Sequence, residues 1–347
     1  MSWRPPIQIL DGGLGTSLED EYGVQFDGST MPLWSSHFLV ADPELLLACQ
    51  SDFGRAGVDI LLTPTYQVSV AGFARTKTAE HPDGIHETAI GPFLSRAVDI
   101  AEKAKLREAA ELALSLGPYG ATMVPGQEYS GKYDDVHDSE EALFTWHLER
   151  LQLFTREELC IERVQFVAFE TVPRLDEIRA VRRAAHAAGL SSKKVWISCV
   201  FPGDQDALPD GSSVEQVVEA MLCPREDQVT PWGIGINCTK IARLPRLVEK
   251  YEAAVAYELS KSAPPTAPAL VLYPDGTRGE VYNTATQKWE ISPEAASRSQ
   301  EPASWESQLA SVVKKAQERA GFASFLVGGC CKANHRNIAE LRRQLKD

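Results

Sequence analysis

Short apolar runs alternate with stretches of helical apolar spacing eight times along this chain, and few folds accommodate that rhythm. The strand-like runs fall at 8–10, 58–63, 112–116, 164–169, 194–200, 232–236, 269–272 and 322–327. Between them lie helical patterns at 43–57, 87–111, 139–162, 174–188, 213–222, 241–259 and 307–320, with a last one from His335. Asp42 and Pro43 read as the cap and first residue of one helix, with Gly57 as its stop. Strict β/α alternation with no break in composition predicts an α/β chain folded as a (β/α)8 TIM-type barrel, one domain over 1–347, and not a doubly wound sheet. The 347 residues exceed the roughly 250 of a plain barrel, so insertions are expected in its loops. One is the polar and aromatic PGQEYSGKYD after the third strand; another is the segment 273–304.

The unusual residues gather where such barrels build their sites. Asp11 in DGGLG, Thr65, the GPYG turn, Glu170, Asn237, Cys238, Cys330 and Cys331 all fall at C-terminal ends of predicted strands. Taken singly they have duller readings. The glycine cluster at 12–15 matches neither the P-loop nor GxGxxG, and Asp11 could simply cap a helix or turn. Glu170 could be a strand-end carboxylate reaching solvent, yet a carboxylate directly after a buried run is costly unless it is paired or placed at an open rim. Their shared position on one face is what favours function.

Seven cysteines, an odd number spread widely, suit a reducing compartment better than a disulfide framework. Cys49, Cys160, Cys199 and Cys223 read as small buried hydrophobes. Cys238 and Cys330 are 330 − 238 = 92 residues apart, which matches no local zinc-finger spacing. A closed barrel, however, separates its sixth and eighth strands by a single strand, bringing Cys238 toward Cys330 and Cys331. The vicinal cysteines remain open to being an incidental pair or a redox couple. As a metal site, three thiolates with a vacant position suit catalytic zinc. Such an electron-rich site is a poor Lewis acid but can hold an incoming thiol as a nucleophilic thiolate. A sulfonium methyl group is the natural electrophile, and Asp11 and Glu170 could hold the ammonium of an amino-acid substrate.

Charge excludes other classes. Thirty-five basic against 48 acidic residues give a net charge of −13 with no basic block, so nucleic acid is not an expected partner. No run of 18 uncharged apolar residues occurs, and the N-terminus lacks a signal-peptide core, so a cytoplasmic protein without membrane contact is expected.

Eight motifs spread over nearly the whole chain then carry a resemblance: DGGLGTSLE, PLWSSHFL, TPTYQVS, GPYGA, QEYSGKY, FETVP, GINCT and GGCC. Together they are similar to the homocysteine S-methyltransferase family, whose barrel is shared with betaine-homocysteine methyltransferase and the homocysteine half of cobalamin-dependent methionine synthase. The resemblance implies one Zn2+ per chain on Cys238, Cys330 and Cys331, and a homocysteine amino group on Asp11 and Glu170. It implies a methionine-forming transferase, and the motif set looks most like the stand-alone enzymes using S-methylmethionine or S-adenosylmethionine. Gly328 and Gly329 would offer backbone amides to the substrate carboxylate. Asn237 joins the substrate-binding set, and Trp34, Tyr66 and Tyr129 are candidates for facing the donor's cation. Tyr282 and Trp289 would belong to a lid. A betaine-type methyltransferase, a barrel hydrolase using Asp11 and Glu170, and a non-enzymatic thiol or zinc sensor stay open as alternatives, as does a homo-oligomer.

Overall fold

A computed structural model describes residues 4–156, 158–261, 266–283, 288–291 and 303–346. Eight parallel strands form its central sheet: β1 (Ile7–Ile9), β2 (Ile60–Leu62), β3 (Glu111–Leu116), β4 (Phe166–Val172), β5 (Lys194–Cys199), β6 (Gly233–Asn237), β7 (Ala269–Tyr273) and β10 (Ser324–Val327). Their order is β1-β10-β7-β6-β5-β4-β3-β2, and a parallel bridge from Leu10 to Ile60 brings the two ends together. The fold is the expected (β/α)8 barrel.

Two apolar layers hold it. Inside the barrel, Leu10, Ile60, Phe166, Trp196, Val271, Tyr273 and Leu326 form a closed cluster of side chains. Outside, the opposite faces of the strands pack against the helices in one continuous core. Trp196, fully buried, is in register with Gly233 on the next strand, where a β-carbon would lie 3.3 Å from the tryptophan's own. The small residue makes room for the large one.

Helices start where local chemistry permits. In α2 (Pro43–Arg55) the Asp42 carboxylate accepts from Leu45 N at 3.0 Å and proline occupies the first turn. Ser213 and Gln216 make a reciprocal capping box for the helix Val214–Leu222. Three elements differ from expectation. The glycine-rich stretch after β1 opens a helix, α1 (Leu14–Tyr22), not only a turn. The pattern at 87–111 becomes a short 3-10 turn and then α3 (Gly91–Ala104), with the last residues leading into β3. The pattern at 139–162 divides into α4 (Glu140–Arg156) and a short helix at Glu158–Glu162.

The long segment after β7 contains an antiparallel hairpin, β8 (Glu280–Asn283) with β9 (Lys288–Ile291). Residues 284–287 and 292–302, and the side chain expected of Tyr282 in a lid, lie outside the described residues. Among those described, no helix is long and apolar enough to cross a membrane.

Gly235 offers a direct test of the packing, because a β-carbon there would sit 2.0 Å from the Val271 carbonyl oxygen on β7. Gly235→Ala is expected to destabilise the fold by at least about 1–3 kcal/mol, read from urea unfolding; an unchanged midpoint would show that the strands separate freely.

Candidate metal and substrate site

The C-terminal ends of the strands surround one large pocket. Asp11, Glu170, Asn237, Cys238, Gly329, Cys330, Cys331, Trp34, Tyr66 and Tyr129, all singled out from the sequence, line it. Gly328, one residue further back, is buried, and a β-carbon there would lie 2.5 Å from the Asp11 carbonyl oxygen.

Three sulfurs meet at its floor. Cys238 follows β6 and Cys330 and Cys331 follow β10, with only β7 between those strands. Their sulfur atoms lie within 4.8 Å of one another. Cys238 and Cys330 are joined as a disulfide with Cα atoms 5.4 Å apart, while Cys331 is free. Two-electron reduction of that bond would yield three thiols, the soft donor set that zinc takes. Burial, with Asp275 nearby, pushes the Cys331 thiol up to about 12, so a cation is what would ionise it, and a hydrogen bond from Tyr129 already favours the thiolate. The residues therefore fit a metal ion.

Backbone strain accompanies the cluster. Cys238 has φ 45° and Thr171, beside it, φ 59°, a left-handed region that costs a non-glycine residue on the order of 1 kcal/mol or more. Asn237 fixes this geometry: its Oδ1 accepts from Thr171 N at 2.8 Å and its Nδ2 donates to Thr171 Oγ1 at 2.7 Å. Its side chain is thus committed to Thr171, a positioning contact, although it borders the pocket.

Two carboxylates stand at strand ends nearby. Asp11 is 4% exposed; its Oδ2 accepts from Leu62 N at 2.9 Å, while Oδ1 has no hydrogen-bond partner among the described residues. Burial raises its pKa well above the usual range, and the Glu170 charge adds to this. Glu170 accepts from Ser115 Oγ and from the Tyr273 hydroxyl, yet burial still pushes it up to about 7. Both are buried carboxyl groups whose charged form is disfavoured until a cation comes near to offset it.

The amides expected of Gly328 and Gly329 are already paired, as is that of Cys330. Gly328 N donates to Leu272 O at 3.0 Å, Gly329 N to Asp11 O at 2.9 Å and Cys330 N to Pro274 O at 2.8 Å. Backbone pairing that locks β10 to its neighbours uses them up. Instead, the first turn of α1 reaches the same pocket through Leu14, Gly15 and Thr16, with no side-chain cap and no acidic residue in that turn, while Gly13 N is already paired with Ala333 O at 2.9 Å. An uncapped helix start is suited to a carboxylate.

The outer wall comes from loops. Trp34 meets Tyr66 edge to face at 6.4 Å and packs so tightly on α1 that a β-carbon on Gly15 would lie 2.2 Å from its ring. Tyr66 is hydrogen-bonded to Thr171. Tyr129 and Glu128 lie on the loop after β3, where Gly120 lets the turn at 127–131 fold onto the first: a β-carbon there would meet Glu128 N at 2.9 Å. Trp289, from β9, also lines the pocket, with the Lys332 ammonium 5.1 Å from its ring centre.

Buried polar residues anchor this wall, and the sequence reading missed them. Glu177 is fully buried and accepts from Tyr119 N at 2.8 Å and the Tyr133 hydroxyl at 2.5 Å, and lies 2.9 Å from His147 Nε2. Arg150 donates to Gly117 O and Tyr66 O, both at 2.6 Å. Their signal was present: His147 and Arg150 occupy the buried stripe of α4 with Leu143, Leu151 and Phe154.

Residues 8–345 match the profile of the family described as homocysteine S-methyltransferase. The chain is 31% identical to the homocysteine S-methyltransferase of Escherichia coli K12, covering 98% of this chain and 95% of that one. It is 29% identical to a betaine-homocysteine S-methyltransferase of Drosophila melanogaster, covering 97% and 94%. Among solved structures, the metallated form of the homocysteine methyltransferase MmuM from Escherichia coli superposes with a TM-score of 0.70 at 26% identity, covering 97% and 96%.

The raised Glu170 pKa has a stability consequence. Between its ordinary 4.5 and about 7 the folded state holds a proton that the unfolded chain releases, so this group's contribution falls as pH rises through that window. Glu170→Gln, which cannot ionise, is expected to gain stability over the parent progressively across that range and level off above it. Urea midpoints of both ligand-free proteins would show this; a pH-independent difference would contradict the raised pKa.

Proposed function

The chain belongs to the homocysteine S-methyltransferase family, and from that premise we propose that it transfers a methyl group from a sulfonium donor, S-methylmethionine or S-adenosylmethionine, to homocysteine. The whole chain serves in this reading as one homocysteine-binding barrel. What carries it is the meeting of Cys238, Cys330 and Cys331 beside two buried carboxylates at the barrel's C-terminal face.

In the reduced state the three cysteines would hold one Zn2+. When bound, the ion supplies positive charge that keeps a substrate thiol deprotonated at neutral pH while the thiolate ligands preserve its nucleophilicity. Everything else falls to the chain's own groups. Asp11 and Glu170 receive the homocysteine ammonium, which gives their buried charges a partner. The free amides opening α1 receive its carboxylate. The substrate is thereby fixed at both ends with its sulfur directed to the pocket floor. Its thiolate attacks the sulfonium methyl carbon in line; a new S–C bond forms, the donor's C–S bond breaks, and that electron pair stays on the departing thioether. Charge is cancelled as methionine forms, and no separate general base is needed. Tyr66, Tyr129 and Trp34 supply aromatic faces to the donor cation, and Asn237 holds Thr171 and Cys238 in place.

Two experiments test this. Protein purified with reductant and without chelator is expected to carry about one zinc per chain, and Cys331→Ser to lose most of the metal and more than about tenfold in turnover with its circular dichroism unchanged. Full turnover in that variant would reject the ligand set. In a methyl-transfer assay with S-methylmethionine, S-adenosylmethionine and betaine, methionine is expected from a sulfonium and not from betaine; betaine as the sole productive donor would assign the chain to the betaine-using type.

A further inference from the structure

Two carboxylates in the pocket have no task in the scheme above, and one of them, Glu19, has the Lys332 ammonium nearby. The other, Glu128, lies on the turn that follows Gly126, in the loop after β3, and lines the pocket. Its Oε2 is shielded from solvent and has no hydrogen-bond partner among the described residues. The turn does not need the side chain. Backbone bonds from Gln127 N to Gly120 O at 2.9 Å and from Gly131 N to Gln127 O at 2.8 Å hold it. Gly126 makes the seat: a β-carbon there would come 2.5 Å from Oε2. Tyr66, Tyr129 and Cys331 are near enough to sense the Glu128 charge.

The surroundings give this carboxylate no cation. Asp11, Glu19, Glu128 and Glu170 all line the pocket, and no Lys, Arg or His is among its described lining residues. A shielded carboxylate left unpaired is costly, so the missing charge points to a ligand. A sulfonium has no proton to donate. It can be recognised only by Coulomb attraction and by aromatic faces, and Glu128 beside Tyr66 and Tyr129 supplies both. A zwitterion with its carboxylate next to its cation would meet repulsion here and no positive side chain to offset it.

We propose that Glu128 is the specificity-determining residue for the methyl donor, selecting a sulfonium of net positive charge over its neutral thioether and over a zwitterionic ammonium. The inference rests on the methyltransferase reading and adds a consequence to it. Transfer removes the charge that Glu128 attracts, so the demethylated donor is held less tightly than the donor itself.

The test compares S-methylmethionine with methionine, which lacks only the charged methyl, by calorimetric titration and by steady-state kinetics. Glu128→Gln is expected to weaken S-methylmethionine binding about tenfold and raise its KM similarly, leaving methionine affinity, homocysteine KM and zinc content unchanged. Glu128→Asp is expected to retain most of the discrimination. Gly126→Ala, which keeps the charge but displaces it, is expected to fall between, so the inference does not hang on one variant's folding. An unchanged ratio of sulfonium to thioether affinity in Glu128→Gln, or equal loss of both ligands, would overturn it. A parent protein that discriminates the sulfonium but transfers no methyl group from any donor would instead refute the proposed reaction and leave the charge selection standing.

Discussion

Closure of the barrel is the constraint on which this protein depends. Cys238 and Cys330 are 92 residues apart in sequence, and only the ladder β6-β7-β10 sets their Cα atoms 5.4 Å from each other. The register of that ladder, Gly235 with Val271 and Leu326 with Val271, fixes which residues emerge at the rim. A slip of one residue would reverse the side-chain direction along a strand and point the cysteine away from the pocket. The capacity of these cysteines to share a metal ion is therefore set by strand pairing.

Around that rim the molecule concentrates costs that its core offsets. Thr171 and Cys238 take left-handed backbone angles, four carboxylates line one pocket, and Glu177 and Arg150 are buried. Each buried polar group has a structural purpose: Glu177 secures the loop bearing Tyr129, and Arg150 ties that loop's start to the Tyr66 segment. The pocket carboxylates differ. Asp11 Oδ1 and Glu128 Oε2 lack hydrogen-bond partners among the described residues, and burial raises Asp11, Glu128 and Glu170 alike. Carboxyl groups so placed would gain from a cation brought beside them, and the three cysteines form a cluster that could hold a metal ion.

The sequence revealed the parts of this arrangement governed by periodicity. Alternation of apolar runs with helical spacing was enough for the barrel, and the strand-end rule then placed Asp11, Glu170, Cys238 and Cys330 on one face. Hydrogen-bond bookkeeping was not legible. The GGCC amides looked available because nothing local shows that Leu272, Asp11 and Pro274 would claim them. The uncapped start of α1 was hidden because Gly12, Gly13 and Gly15 read as a turn, whereas Gly15 is needed for the Trp34 ring to lie against the helix. Glu128 escaped notice for another reason. A glutamate in a polar loop is ordinary, and only the three-dimensional pocket shows that it lacks a cation.

The decisive measurement is X-ray absorption at the zinc edge of the reduced, zinc-loaded protein. A shell of three sulfur neighbours at about 2.3 Å is expected from Cys238, Cys330 and Cys331 acting together. A shell made chiefly of nitrogen and oxygen, or one unaltered when Cys238 is replaced by serine, would show that the three sulfurs do not share one ion.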